Sequence, residues 1–113
     1  MTSFATPEQS HQHSLETLNA LYEYDDFMES IATVVDLGCG AGLDSKWWAT
    51  RTTRDETPTP LKIKCVGVDI VDQLLIAEKI TNITYQRVDF EEQIFPPAKT
   101  KFDILWSHDS FQY

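Results

Sequence analysis

The sequence predicts an α/β fold in which helices cover both faces of a parallel sheet. Short, continuously apolar segments, typical of strands buried on both faces, alternate along the chain with segments of helical periodicity. A glycine-rich turn lies between the first of these strands and the helix that follows it. Such alternation is typical of right-handed β-α-β units, which build parallel sheets.

Length and composition indicate a small globular protein with an acidic surface. The chain has 113 residues, of which 42% are hydrophobic and 12% aromatic, enough to form a core. Its net charge of −9 opposes phosphate backbones and anionic lipid, so we expect no nucleic-acid and no membrane partner. The N-terminus lacks the basic and apolar regions of a secretory signal. Two cysteines form no disulfide framework, and we expect reduced thiols and a cytoplasmic protein.

Residues 1–30 are predicted to form an N-terminal helical segment. A cap at Thr6, a proline at position 7 and a glutamine at position 9 predict the start of the first helix. Its apolar stripe consists of Leu15, Leu18, Leu21 and Tyr22, and a second short helix carries Phe27, Met28 and Ile31. His11 and His13 resemble a metal-binding pair, but no third ligand is evident. We therefore expect a solvated helix face and no metal site.

Four strands and their connecting helices are predicted in the rest of the chain. The strands are Thr33–Asp36, Lys62–Asp69, Ile83–Val88 and Phe102–Trp106. Helices are predicted over 43–49 and 71–80, with a further helical turn over 91–94. The polar, proline-containing segment 51–60 is predicted to be a solvent-exposed loop.

The segment 34–42, Val-Val-Asp-Leu-Gly-Cys-Gly-Ala-Gly, is the most informative part of the chain. In a dinucleotide-binding fingerprint a third glycine would replace Leu43, which argues against a nicotinamide cofactor. The spacing Asp-x-Gly-x-Gly-x-Gly from Asp36 instead resembles the first motif of the Rossmann-like, class I S-adenosylmethionine (SAM) dependent methyltransferases. Later segments resemble that family in the same order: Gly67–Ile70, Arg87–Phe90 and Phe102–Ser110.

The resemblance implies a fold and a domain organisation. In that family the strand order is 3-2-1-4-5-7-6, so this chain is expected to supply the 3-2-1-4 half of a three-layer sheet. Residues 31–113 would form a SAM-binding domain truncated after the fourth strand. That strand would then be an uncovered edge, and we expect a homodimer that pairs through it.

The resemblance assigns four residues to the adenosine half of SAM. Asp69 is expected to accept both ribose hydroxyls, the alternative being a helix cap. Ile70 would pack on the adenine, the alternative being a core position. Asp89 would accept the adenine amino group, with Phe90 offering its backbone amide to the ring; the alternative for Asp89 is a loop acid.

The remaining candidate residues lie near the methionine half and the reacting methyl group. The turn glycines Gly38, Gly40 and Gly42 would form the floor beneath the methionine tail, with Asp36 bonded to the turn or to the tail's ammonium group. Ser107, a further candidate cofactor-binding residue, and His108 follow the fourth strand, where ligands bind in open α/β sheets. His108 is a candidate general base, the alternative being that it shapes the pocket or binds substrate.

The function implied is methyl transfer from SAM to an unknown small-molecule acceptor. Such a displacement can proceed largely through proximity and orientation, so the lack of an assigned catalytic residue does not oppose it. Three alternatives stay open. They are an aminopropyl-transferring enzyme of the same fold, a nicotinamide-dependent dehydrogenase, and a fragment that binds cofactor without catalysis or only dimerises.

Overall fold

The computed structural model describes residues 6–37, 42–69, 80–87 and 101–107. Within them the elements are α1 (Pro7–Tyr22), α2 (Asp25–Ser30), β1 (Thr33–Leu37), α3 (Leu43–Ala49), β2 (Lys64–Asp69), β3 (Ile83–Arg87) and β4 (Ile104–Ser107). The strands form one parallel sheet in the order β3-β2-β1-β4, which confirms the predicted fold class and strand order. Of the predicted helix 71–80 only Ile80 is described, and it is not helical; residues 71–79 and the predicted turn 91–94 lie outside the described residues.

Two strands, β2 and β4, begin later than the sequence pattern predicts. Lys62 has a φ of 59°, a left-handed conformation that a strand does not accommodate, so β2 begins at Lys64. Before β4, the Asp103 carboxylate accepts hydrogen bonds from the backbone N–H groups of Ala32 and Thr33. These bonds lower the pKa of Asp103 and join the start of β1 to the segment that leads into β4.

The three described helices all pack against one face of the sheet, which we call the helical face. Alternate residues of the four strands project from it, and the side chains of Val34, Cys65 and Ile83 pack there against Leu18 and Trp48. A smaller cluster on the opposite face consists of Val35 and Val68 with Leu37, Val66 and Phe102 packed against them. The helical face therefore holds most of the described core.

Helix α1 runs the length of this face, from the carboxyl ends of the strands to their amino ends. Its start has the predicted capping box, in which Thr6 and Gln9 exchange hydrogen bonds. At its other end the Tyr22 hydroxyl donates to the carbonyl oxygen of Thr52, 2.6 Å away. Segment 51–60 is largely exposed, as predicted, and an isolated antiparallel bridge between Thr52 and Pro60 closes it. No helix in the described ranges combines the length and apolar character needed to cross a membrane.

Candidate functional site

The strand order creates a crevice between β1 and β4. The chain leaves β1 to build β2 and β3 on one side and then returns to place β4 on the other. Connections that leave in opposite directions open a gap outside the carboxyl ends of the two central strands, where open α/β sheets bind their ligands. We call this end of the sheet the carboxyl edge; Leu37, Asp69, Arg87 and Ser107 end its four strands.

Gly42 lies at the carboxyl edge and immediately precedes α3. Its φ of 84° lies in the left-handed region that glycine adopts without a steric penalty. A Cβ atom at this position would lie only 2.7 Å from the hydroxyl oxygen of Tyr85 on β3. In the sheet register, Gly67 of β2 lies between Tyr85 of β3 and Asp36 of β1. Gly67 has no side chain that could separate these two residues. The backbone conformation therefore favours glycine at position 42, and any larger residue would also have to displace the ring of Tyr85.

Asp36 of β1 is a buried carboxyl group whose side chain is held by α3. Only 2% of the residue is exposed, and the Ser45 hydroxyl donates to its Oδ2 atom at a distance of 2.6 Å. Burial raises the pKa of Asp36 to about 7, and the negative charges of Asp44 and Asp69 act in the same direction. The neutral form of this carboxyl group therefore persists well above the pH at which an exposed aspartate ionises. The sequence predicted a bond to the turn or to a ligand; the observed partner is in the first turn of α3.

Asp44 joins three elements at the same edge. Its Oδ1 atom lies 2.5 Å from Nδ1 of His11 on α1, and its Oδ2 atom accepts from the Trp106 indole on β4 at 2.9 Å. The Ser14 hydroxyl also lies 2.9 Å from Oδ2. We call these four residues the Asp44 cluster: Asp44, His11, Ser14 and Trp106. The cluster ties the N-terminal half of α1 to the start of α3 and the end of β4.

The predicted solvated face for both helix histidines is wrong for His11. His13 is exposed, but His11 lies one turn before Leu15 and Ser14, on the side of α1 that meets α3. His11 and Ser14 are three residues apart and therefore lie on one face of the helix. This spacing is the sequence signal that could have placed His11 on the packed face together with Ser14. Asp44, their partner, lies 33 residues further along the chain than His11.

Four of the predicted site residues are described, and the structure places all four at or beside the carboxyl edge. Asp69 ends β2 and is partly exposed, and Ser107 ends β4 and is exposed. Asp36 and Gly42 lie on either side of the turn, as given above. The other six lie outside the described residues: Gly38, Gly40, Ile70, Asp89, Phe90 and His108.

Cys65 and the neighbouring tryptophans Trp47 and Trp48 pack in the core of the helical face. Cys65 is a free, buried thiol, and burial raises its pKa to about 12, so it has almost no thiolate at neutral pH. Trp48 is fully buried, and its ring packs edge-to-face against Trp47 and Trp106 with centroids 5.1 and 6.0 Å away. In the described part of the chain, no three His, Cys, Asp or Glu side chains are grouped as metal ligands would be.

Comparison with known proteins identifies the family. A family model described as "Methyltransferase domain" matches residues 35–113, from within β1 to the last residue. The chain belongs to the class I SAM-dependent methyltransferase domain family. Neither the curated proteins nor the solved structures gave a match. The sheet of this methyltransferase domain and the position of Gly42 before α3 agree with the family resemblance found in the sequence.

Proposed function

We propose that this methyltransferase domain binds SAM at the carboxyl edge and transfers its methyl group to a small-molecule acceptor. The observation that carries the proposal is the convergence of three features at one place. Gly42 at the start of α3, the buried carboxyl of Asp36 on β1 and the carboxylate of Asp69 at the end of β2 all lie at the carboxyl edge, where open α/β sheets bind their ligands.

In this proposal the second and third strands hold adenosine. The carboxylate of Asp69 accepts hydrogen bonds from both ribose hydroxyls, since a carboxylate has two acceptor oxygens and a diol has two donors. Ile70 packs on the adenine ring, Asp89 accepts its amino group, and Phe90 offers a backbone amide. These four assignments derive from the family resemblance.

The first strand and its turn hold the methionine half. Gly38, Gly40 and Gly42 give the ligand close access to the backbone, because no Cβ atom intervenes. Asp36 is proposed to interact with the ammonium group of the tail, directly or through water. A cation at this place would favour the ionised form of a carboxyl group whose burial otherwise favours the neutral form.

The fourth strand faces the reacting group. Bound SAM supplies a methyl carbon activated by positively charged sulfur, and the protein must align an acceptor with that carbon. Ser107, which ends β4, and His108, the next residue, are proposed to border the acceptor and hold it in line. A cytoplasmic location is part of the proposal, because Cys65 is a free thiol.

Transfer of label tests the proposed reaction. The chain is incubated with SAM labelled in its methyl group and a mixture of small hydroxyl, amine, thiol and carboxylate compounds, and products are separated by mass. We expect labelled acceptor and S-adenosylhomocysteine to form in equal amounts. Transfer of an aminopropyl group from decarboxylated SAM to a polyamine, without methyl transfer, would replace this proposal by the aminopropyl alternative.

A further inference from the structure

We infer that His11, held by Asp44, is the general base that removes a proton from the methyl acceptor, which is then a hydroxyl compound such as a phenol. This inference rests on the proposed function and assigns the substrate class of the same site. It starts from the Asp44 cluster, whose geometry determines which ring nitrogen of His11 carries the proton.

The hydrogen bonds of Asp44 determine the tautomer of His11. The indole nitrogen of Trp106 can only donate, so Oδ2 of Asp44 is an acceptor in that bond. A carboxylate has no proton to donate, so its other oxygen, Oδ1, 2.5 Å from Nδ1 of His11, accepts the Nδ1–H of that ring. In the neutral ring Nε2 is therefore unprotonated and has a lone pair available to accept a proton.

The position of His11 fits a role at the reacting centre. Asp44 follows the turn glycine Gly42 by two residues, and Trp106 directly precedes Ser107 at the end of β4. The side chain of His11 is 22% exposed and that of Asp44 is 15% exposed, so the pair is partly enclosed but open to a ligand. A base placed here borders the crevice between β1 and β4.

The chemistry of the pair follows from this arrangement. Nε2 of His11 takes the hydroxyl proton as the acceptor oxygen forms a bond to the methyl carbon. The carbon–sulfur bond breaks with its electron pair on sulfur, which gives the methyl ether and S-adenosylhomocysteine. The resulting imidazolium is stabilised by the Asp44 carboxylate and returns its proton to solvent. His11 is then a catalytic residue, and Asp44 is a positioning residue.

The tautomer is tested by long-range proton–nitrogen NMR spectra of the full chain with ¹⁵N-labelled histidine, without any ligand. We expect His11 to carry its proton on Nδ1. In Asp44→Asn the amide oxygen must face the Trp106 indole, which turns the NH₂ group toward His11 and moves the ring proton to Nε2. A wild-type His11 protonated on Nε2, or an unchanged tautomer in Asp44→Asn, would overturn the inference.

The role in catalysis is tested with phenol as the acceptor probe and methyl-labelled SAM. General-base catalysis contributes about 10²–10⁴-fold, so we expect His11→Gln to lower kcat by at least about 10²-fold. The dissociation constant of SAM and the thermal unfolding midpoint should stay close to those of His13→Gln, the control on the exposed face of α1. Methyl transfer to phenol at the wild-type rate by His11→Gln would refute the assignment.

The two failures are distinguishable. If wild-type chain does not bind SAM, the proposed function fails and the inference fails with it. If SAM binds and label is transferred but His11→Gln retains the wild-type rate, only the inference fails.

Discussion

Replacement of Asp36 by Asn tests the electrostatics of the glycine turn through protein stability. Burial raises the pKa of Asp36 from 3.8 to about 7 in the folded chain. Between these values the unfolded chain has lost the proton and the folded chain keeps it. The folded state then binds more protons, so the free energy of unfolding falls as pH rises through this range. Below it both states are protonated, and above it both are ionised.

The size of the effect follows from the shift. A pKa difference of about three units corresponds to roughly 4 kcal/mol at about 1.4 kcal/mol per unit. Asparagine stays neutral at every pH, and its side-chain oxygen can still accept from Ser45. Its NH₂ group adds a buried donor that costs about 1–3 kcal/mol if it finds no partner. We therefore expect Asp36→Asn to be about 1–3 kcal/mol more stable than wild type near pH 8.

The assay is urea unfolding followed by tryptophan fluorescence, at several values from about pH 5 to about pH 8. The wild-type free energy of unfolding should fall across this range, and that of Asp36→Asn should fall much less. Asp55→Asn, at an exposed loop position, serves as the control for loss of one charge and should keep the wild-type slope. Parallel curves for wild type and Asp36→Asn would refute the reasoning.

Three further predictions concern the turn, the second strand and the sheet edge. Gly42→Ala should lower stability by more than the roughly 1–2 kcal/mol of a left-handed alanine, because Tyr85 is also in contact; an unchanged unfolding midpoint would contradict this. Asp69→Ala should weaken SAM binding at least tenfold in calorimetry, because each lost charge-assisted bond contributes about 1.5–3 kcal/mol. Asp109→Ala, which removes a carboxylate with no assigned role, should weaken it less. Equal affinities of wild type and Asp69→Ala would mean that Asp69 is only a helix cap. We propose that two chains form a homodimer by pairing through β4. Leu105 is 49% exposed on this strand, and Leu105→Lys should convert the dimer to a monomer in light scattering. A wild-type chain that stays monomeric at high concentration would contradict the proposal.

The sheet could be predicted because its information is local. The continuous apolar pattern of β1 and β2 and the glycine turn between β1 and α3 each lie within a few residues. The ends of the strands depended on other parts of the chain. Asp103 bonds to the start of β1, about 70 residues earlier, and no pattern within its own segment indicates this.

The side chains of β4, the edge strand, also have surroundings that local sequence does not reveal. The sequence predicted that the whole fourth strand, Phe102–Trp106, lies at an uncovered edge of the sheet. In the structure Trp106 packs against Trp48 and donates to Asp44, so a charge there would disturb the core and the Asp44 cluster. Leu105, which projects from the other face, is the exposed large hydrophobic residue of this strand.

The residues of the candidate site also fall into two groups, those that sequence motifs predicted and those that only tertiary packing brings together. Asp36, Gly42 and Asp69 were identified from motifs, because each lies next to a strand end that the sequence reveals. The His11–Asp44 pair was not, since its members lie on different helices and meet only when α1 packs against α3. Long-range polar contacts of this kind follow from tertiary packing and leave little trace in local sequence.

The central claim is that the carboxyl edge binds SAM, and calorimetric titration of the full chain with SAM and with NAD tests it most directly. The account predicts saturable binding of SAM at one site and no binding of NAD, because Leu43 replaces the third glycine of the dinucleotide fingerprint. Saturable binding of NAD in the absence of SAM binding would contradict it.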